Sequence, residues 1–259
     1  MNGVRGGAEQ TAARRLEELS LNASGAFQSL LYDGWLLGYR RGPTKRLRCV
    51  NPFYPSTLPL QEKVDHCTRF YADAGLPVIF RLLPFSEPAN LDAWLERAGW
   101  EAFERTLVQR ASIEALQLPS APTADVTIMP VPEWQEPVAR LLDVSPALLV
   151  QYVEQARAYP LPQAGAILRR DGEVVACGLV KLEGDHAGLF ALHTATQHRG
   201  QGLGRAIVVA LLAEAVRQHA RFAYLQVTAS NVAALALYRH FGFITAYEYW
   251  YRGTVAEKG

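Results

Sequence analysis

The sequence predicts an α/β protein built from two units in tandem, and three observations support this fold class. Apolar runs with strand character alternate with helical patterns along most of the 259 residues. A stretch rich in proline and small residues interrupts this alternation near the middle of the chain. A loop with three alternate glycines joins a strand to a long apolar helix in the second unit. We therefore predict a flexible tail over residues 1–10, a first domain over 11–114, a linker over 115–124 and a second domain over 125–259.

The composition describes a globular, core-forming chain with 49% hydrophobic and 20% charged residues. Its 26 basic and 25 acidic residues give a formal net charge of +1, so no electrostatic argument favours nucleic acid or a membrane as a partner. The three cysteines are far apart, and none lies in a CxxC spacing. We expect reduced structural thiols rather than disulfides, and no bound metal. Because no apolar leader or membrane-spanning run is present, we expect a cytoplasmic protein.

In the first unit, helical and strand patterns alternate between clear stop signals. Leu16 and Leu19 share one face of a helix whose other face is charged. The sequence Arg-Gly-Pro-Thr at 41–44 predicts a turn, and Gly75 ends an amphipathic helix. The predicted elements, in chain order, are a helix at 11–21, strands at 30–41 and 46–50, a helix at 60–74, a strand at 77–83, a helix at 88–98 and a strand at 101–110.

The second unit carries a longer series of elements. The pair Asp171-Gly172 predicts a tight hairpin. Both units end alike, in Ala98-Gly99-Trp100 and in Phe241-Gly242-Phe243, which leaves a distant internal duplication open. The predicted elements are a strand at 126–129, helices at 133–143 and 146–158, strands at 164–170, 173–182 and 187–194, a helix at 203–220, a strand at 221–228, a helix at 231–241 and a strand at 243–252.

The glycine loop at 199–204, RGQGLG, is the clearest chemical signal in the chain. Its alternate glycines allow close approach of a ligand, and the helix that follows directs N–H groups and its positive dipole end at the loop. Such a site suits a phosphate or pyrophosphate. A Walker P-loop is excluded, because no Lys-Ser or Lys-Thr follows the glycines. A dinucleotide-binding fingerprint fits poorly, because Gln226 and Thr228 stand where its ribose-binding acid is expected.

A second motif lies downstream, and the two motifs together resemble the signatures of the GCN5-related N-acetyltransferase (GNAT) superfamily. The loop resembles R/Q-x-x-G-x-G/A, and residues 231–243 resemble N-x-x-A-x-x-L-Y-x-x-x-G-F at every defined position. The order of elements over 126–252 also matches the family fold. The resemblance implies a mixed α+β sheet and two GNAT-like acyl-CoA N-acyltransferase domains in tandem. The N-terminal domain is then degenerate, because it has no glycine loop and places Leu95 opposite Tyr238.

The resemblance also implies acetyl-CoA as cosubstrate, held where the strands at 187–194 and 221–228 separate. The backbone of residues 192–194 would pair with the pantetheine arm, and the amides of residues 200–205 would hold the pyrophosphate. Asn231 would contact the pantetheine or support that wall. The implied cofactor-binding residues are Leu192, His193, Thr194, Arg199, Gly200, Gln201, Gly202, Leu203, Gly204, Arg205, Asn231 and Tyr238.

The implied reaction is direct attack of a primary amine on the thioester. Tyr238 stands at the position from which the family protonates the departing thiolate, so we predict it as general acid. Relatives such as the ribosomal-protein alanine acetyltransferases carry Glu where this chain has Gln226, which cannot accept a proton. We therefore predict His193 as general base, because imidazole titrates near neutral pH. The alternative is that His193 shapes the acceptor pocket and the proton leaves through water.

Several functional alternatives stay open at this stage. The chain is an N-acetyltransferase for a small-molecule, peptide or protein amine, or else a non-catalytic acyl-CoA sensor or interaction module, which Gln226 keeps open. A redox dehydrogenase would need tight nicotinamide binding, which we expect to be absent. The acceptor is open, and a homodimer is one option for the oligomeric state. Four aromatic residues of the first unit either line the acceptor cleft or fill the core, namely Trp35, Tyr39, Trp94 and Trp100.

Overall fold

The computed structural model describes residues 2–24, 28–42, 44–116, 118 and 126–254. These residues fall in two compact units. The first consists of Met1–Val108, Val227–Asn231 and Thr245–Gly259, and the second of Gln109–Gln226 and Val232–Ile244. Both units are therefore discontinuous in sequence, unlike the contiguous domains predicted above. Of the predicted linker, residues 117 and 119–124 lie outside the described residues.

Strands and helices alternate along the chain, and the fold is a mixed α/β fold as predicted. In the first unit the strand order is β1-β2-β3-β4-β11-β5, and in the second it is β5-β10-β9-β8-β7-β6. The elements are α1 (Asn2–Ser24), β1 (Ser29–Tyr32), β2 (Trp35–Gly38), β3 (Val50–Pro52), α2 (Leu60–Asp73), β4 (Ile79–Leu82), α3 (Leu91–Arg97), β5 (Glu101–Ser112), β6 (Val126–Met129), α4 (Val131–Ala139), α5 (Pro146–Ala158), β7 (Gln163–Arg170), β8 (Glu173–Glu183), β9 (His186–Thr194), α6 (Leu203–Arg217), β10 (Phe222–Thr228), α7 (Val232–His240) and β11 (Ile244–Gly253).

The element order of the second half of the chain agrees with the prediction. Strands β7 and β8 form the predicted hairpin, and Asp171 and Gly172 at its turn have φ of 51° and 83°, as a type I′ turn requires. Strand β9 pairs antiparallel with β8 and parallel with β10. Trp134 of α4 covers this sheet at Gly165, where a Cβ would lie 2.2 Å from the indole ring. A glycine is therefore required for α4 to pack.

The first unit differs from the prediction at its N-terminus. Helix α1 begins at Asn2, where a tail over 1–10 and a helix start at residue 11 are predicted. Its early glycines each cost about 1 kcal/mol relative to alanine, which weakens a helix but does not end it. The helix is anchored further along, where Leu16 and Leu19 are buried.

A second difference lies in the strand predicted over 30–41, which is a hairpin of β1 and β2. Its turn residues Asp33 and Gly34 have φ of 42° and 83°, again the type I′ geometry. Because the residues on both sides of this Asp-Gly pair are apolar, the sequence pattern predicts one continuous strand instead of two strands and a turn. The strand predicted over 46–50 is also wrong, because a 3-10 turn over Lys45–Leu47 precedes β3.

The structure shows whether the tryptophans of the first unit fill its core or are exposed. Trp35 is fully buried and Trp100 is 8% exposed, and both belong to the core cluster that includes Phe80. Their rings contact Phe80 edge-on, with centroids 5.7 Å and 5.2 Å away. Trp94 packs against the same core, whereas Tyr39 is exposed. Trp35 and Trp100 are therefore core residues.

Candidate active site

The glycine loop lies between β9 and α6, and its backbone requires glycine at two positions. Gly200 and Gly202 have φ of 76° and 77°, in the left-handed region that other side chains rarely adopt. A Cβ built on either residue would meet no atom of the described residues within 4 Å. The loop is therefore open on its outer side, as a site for close ligand approach must be.

Helix α6 starts at this loop, with Gly202 as its N-cap. The helical ladder begins with the Ala206 N–H, which donates to the Gly202 carbonyl at 3.0 Å. The N–H groups of Leu203, Gly204 and Arg205 precede that ladder and point out of the helix start. Glycine supplies no capping side chain of its own. Because the dipole adds a partial positive charge here, this end of α6 favours an anion.

Strands β9 and β10 separate towards the loop. Their parallel pairing begins at His186↔Phe222 and ends at Leu189↔Leu225. Strand β9 nevertheless continues to Thr194, and β10 also runs on beyond its last paired residue. The second half of β9 thus extends past the paired region, which is the separation that the resemblance implies.

A β-bulge in β9 accounts for this separation. The register of β8 against β9 shifts between Leu179↔Phe190 and Cys177↔His193. Ala191, between those pairs, has a φ of 49°. A bulge bends its strand and increases the local twist, so the end of β9 leaves the line of β10. Alanine gives no sequence signal for a positive φ, and the prediction from sequence therefore misses this residue.

Gly204 marks the point where three elements meet. A Cβ at Gly204 would lie 3.6 Å from Thr194 Oγ1 of β9 and 3.7 Å from Leu237 Cδ2 of α7. Both are ordinary contact distances, and Gly204 is not among the glycines with positive φ. The start of α6, the end of β9 and the middle of α7 therefore lie together, and Tyr238 directly follows Leu237.

Tyr238 is a buried residue of α7, only 6% exposed. Its ring packs on Phe243, with centroids 6.0 Å apart. Burial raises the pKa of Tyr238 to about 12. The phenol is therefore fully protonated at neutral pH, which is the state that a proton donor needs.

His193 lies at the end of β9 and is partly buried. Burial lowers the pKa of its imidazole, and the positive charge of Arg199 lowers it further. Arg199 Nε donates to the Thr194 carbonyl at 3.3 Å, so this guanidinium folds back along the strand end. The His193 ring is consequently neutral at neutral pH and able to accept a proton.

The other predicted residues have different surroundings. The Leu192 side chain packs inward, since its Cδ2 would lie 2.8 Å from a Cβ at Gly178. Gln201 is exposed and donates to the Gln197 carbonyl at 3.4 Å, and Arg205 is exposed as well. Asn231 falls in the first compact unit. The loop, His193 and Tyr238 all belong to the second unit, and the role of Asn231 stays a prediction.

Two further features of the described residues bear on the class of site. None of their helices has the length and apolar character needed to cross a membrane. No group of three or more His, Cys, Asp or Glu side chains among them is arranged to hold a metal ion.

Comparison with known proteins places this site in a family. Residues 131–243 match the model of the acetyltransferase (GNAT) family. An uncharacterized N-acetyltransferase of Bacillus subtilis, YobR, is 27% identical over 243 residues, which is 92% of this chain and 97% of its own. The ribosomal protein bS18-alanine N-acetyltransferase of Escherichia coli K12 is 36% identical over 76 residues, 29% of this chain. That match spans 51% of the E. coli enzyme.

Solved structures show the same fold. A GCN5-related N-acetyltransferase from Kribbella flavida aligns over 95% of both chains with a TM-score of 0.65 and 17% identity. A tandem GNAT protein from the clavulanic acid biosynthesis pathway aligns over 79% of this chain and 74% of its own, with a TM-score of 0.60 and 16% identity. The segment 131–243 therefore matches the GNAT acetyltransferase family in sequence, and the chain as a whole is similar in sequence and fold to proteins of that superfamily. The degeneracy of the N-terminal half stays a prediction.

Proposed function

We propose that this protein is an acetyl-CoA-dependent N-acetyltransferase that transfers an acetyl group to a primary amine of a small molecule, peptide or protein. The observation that carries the proposal is the open glycine loop at the start of α6, directly after the bulged end of β9. The loop offers amides for an anion, and the strand end offers backbone groups for an extended, amide-bearing ligand.

The residues at this site suit acetyl-CoA in their chemistry. The amides of Leu203, Gly204 and Arg205, with the Arg199 guanidinium close by, match a pyrophosphate. The backbone of residues 192–194 lies beyond the part of β9 that pairs with β10, and it matches the amide groups of a pantetheine arm. When bound, acetyl-CoA supplies the thioester that the amine attacks.

Two proton transfers fall to side chains of this site. His193 accepts the proton of the attacking amine, because its lowered pKa keeps the imidazole neutral. Tyr238 protonates the departing sulfur, because its phenol carries a proton at neutral pH. Backbone N–H groups near His193 and Thr194 are the candidates for stabilising the developing oxyanion. Gln226 is half-buried on β10 and serves as neither acid nor base.

The experiment that tests the function measures free thiol released from acetyl-CoA in the presence of a panel of amines, with acetylated product identified by mass spectrometry. We expect amine-dependent thiol release and an N-acetyl product. Coenzyme A binding without thiol release in the presence of any amine would instead support an acyl-CoA sensor, the alternative that Gln226 keeps open. No binding of coenzyme A at all would exclude both functions.

The wider setting of the protein is proposed from its sequence composition alone. The near balance of basic and acidic residues, with a net charge of +1, supports a partner that is neither nucleic acid nor a membrane surface. A cytoplasmic location stays a prediction. A homodimer stays a prediction.

A further inference from the structure

The end of α3 in the first unit is built like the end of α7 in the second. Gly99 and Gly242 have φ of 83° and 78°, the left-handed conformation of a helix C-terminus. The N–H of the next residue turns back in both places: Trp100 donates to the Leu95 carbonyl and Phe243 to the Tyr238 carbonyl, each at 3.0 Å. This matched pair of hydrogen bonds aligns Leu95 with Tyr238.

The order β3-α2-β4 likewise repeats the order β9-α6-β10. Strands β3 and β4 are parallel and joined by α2, and their pairing is the single position Val50↔Phe80. Each strand runs on past that pair, β3 to Pro52 and β4 to Leu82. The first unit therefore contains counterparts of both parts of the proposed cofactor site, a helix start after one strand and a wedge between two.

The counterpart of the anion site, before α2, holds the Asp33 carboxylate. It accepts hydrogen bonds from the N–H groups of Thr57 (3.0 Å) and Leu58 (2.9 Å) and from Thr57 Oγ1 (2.7 Å). Lys63 on α2 pairs with it at 3.1 Å. These hydrogen bonds, led by that of the Leu58 amide, hold the pKa of Asp33 well below its usual range. The ionised carboxylate thus has the amide and ammonium partners that a phosphate would use.

The turn that carries Asp33 is held firmly in this place. Gly34 approaches the loop before α2 so closely that a Cβ would lie 2.3 Å from the Pro55 carbonyl oxygen. The Tyr54 N–H donates to the Gly34 carbonyl at 3.0 Å. Lys63 is fully buried and its ammonium lies 3.9 Å from the centroid of the Trp35 ring. The Asp33 carboxylate is therefore held in position by a turn that packs tightly against the loop before α2.

The counterpart of the wedge is closed by Arg14 of α1. Its guanidinium donates to the carbonyls of Phe53 and Phe85, both at 3.1 Å, and to Glu87 Oε1 at 3.3 Å. Phe53 directly follows β3, and Phe85 follows β4 by three residues. The guanidinium carbon also lies 5.8 Å and 5.3 Å from the two phenylalanine ring centroids. Arg14 thus joins the two diverging chains just beyond their strands.

Glu17, one turn further along α1, holds the helix in this position. It is fully buried and pairs with Arg81 of β4 through both carboxylate oxygens. The Tyr247 hydroxyl donates to Glu17 Oε2 at 2.6 Å, and Arg81 also lies 3.8 Å from the Tyr249 ring centroid. A buried, bidentate pair of this kind is strongly destabilised by loss of one partner, so α1 cannot leave the sheet without a large cost.

We propose that the first unit is a copy of the acyl-CoA-binding fold whose ligand positions are filled by the chain's own side chains, Asp33 at the anion position and Arg14 across the wedge. This half consequently binds no acyl-CoA, and one chain binds one molecule. The inference rests on the proposed function only in taking acyl-CoA as the ligand of the second unit.

The first test is the stoichiometry of coenzyme A in equilibrium dialysis with the full chain. We expect one equivalent for the wild-type chain and none for Gly202→Glu, which blocks the loop of the second unit. Two equivalents for the wild type, or one equivalent retained by Gly202→Glu, would overturn the inference. No binding by the wild type would count against the proposed function instead, and the second test then decides.

The second test removes the internal carboxylate and offers an external anion. Asp33→Gly keeps a residue that tolerates positive φ, and Asp171→Gly makes the same change in the matching turn of the β7–β8 hairpin. Both are made in the Gly202→Glu chain, and thermal unfolding is followed with and without inorganic pyrophosphate. We expect pyrophosphate to raise the midpoint of the Asp33→Gly chain by several degrees more than that of the Asp171→Gly chain. Equal shifts would contradict an anion position at Asp33. Should Asp33→Gly fail to fold, the stoichiometry alone decides.

Discussion

At the scale of single residues, the proposed chemistry depends on a protonated phenol at Tyr238. Its phenol is buried and carries a proton at neutral pH, as a donor to the thiolate must. We predict that Tyr238→Phe lowers kcat by about 10²-fold or more while leaving the Kd for coenzyme A unchanged. Tyr224→Phe removes a hydroxyl from another buried tyrosine of the same unit and serves as the control. An equal loss in both variants would mean that Tyr238 acts through packing.

The pH profile of kcat/KM tests the role of His193. A general base must be unprotonated, so activity falls as the pH drops through its pKa. Because burial and Arg199 lower the pKa of His193, we expect that fall below the ordinary histidine value of about 6.5. Arg199→Gln removes one of the two causes and should move the fall to higher pH.

Two outcomes are decisive for that assignment. His193→Gln should abolish the acid limb of the profile, whereas the exposed His240→Gln should leave it in place. If the profile of His193→Gln is unchanged, the amine loses its proton to water. His193 would then only shape the acceptor pocket, which is the alternative given in the sequence analysis.

At the scale of elements, a buried ion pair between Glu17 and Arg81 contributes to holding α1 in place. We predict that Glu17→Gln lowers the free energy of unfolding by about 3–5 kcal/mol, because it leaves the buried Arg81 guanidinium without a charged partner. Glu18→Gln, which breaks the exposed pair with Arg15, should cost at most about 1 kcal/mol. Denaturant unfolding of the two variants makes the comparison. Equal and small losses would show that α1 is not anchored at Glu17.

A comparison of predicted and observed elements shows which parts of the fold local sequence patterns predict. In the second half, turn pairs and apolar periodicity agree, and the order of elements follows from them. In the first half, the Asp33-Gly34 turn is hidden between apolar residues, so one strand is predicted for two. The bulge at Ala191 has no local signal at all, because the strain there is imposed by packing rather than by residue type. Local patterns predict elements; tertiary packing decides bulges and strand ends.

At the scale of the whole molecule, the sequence predicts the glycine loop and Tyr238 because short motifs carry them. It does not predict the contacts that fill the first unit. Arg14 and Glu17 form hydrogen bonds with groups that are distant in the sequence. The partner of Glu17, Tyr247, lies near the other end of the chain. Such partners follow from topology alone. The discontinuous units have the same origin, because strands from the end of the chain belong to the compact unit of its beginning.

We propose that the loop of α6 binds the pyrophosphate of acetyl-CoA, and the affinity of the chain for coenzyme A tests this proposal. The Kd for coenzyme A is determined by calorimetry for the wild type, Gly202→Glu and Gly172→Glu. Both glycines have positive φ and open space around a Cβ, so the two variants impose the same backbone strain. We expect loss of binding in Gly202→Glu and a wild-type Kd in Gly172→Glu. Wild-type binding by a folded Gly202→Glu chain would contradict it.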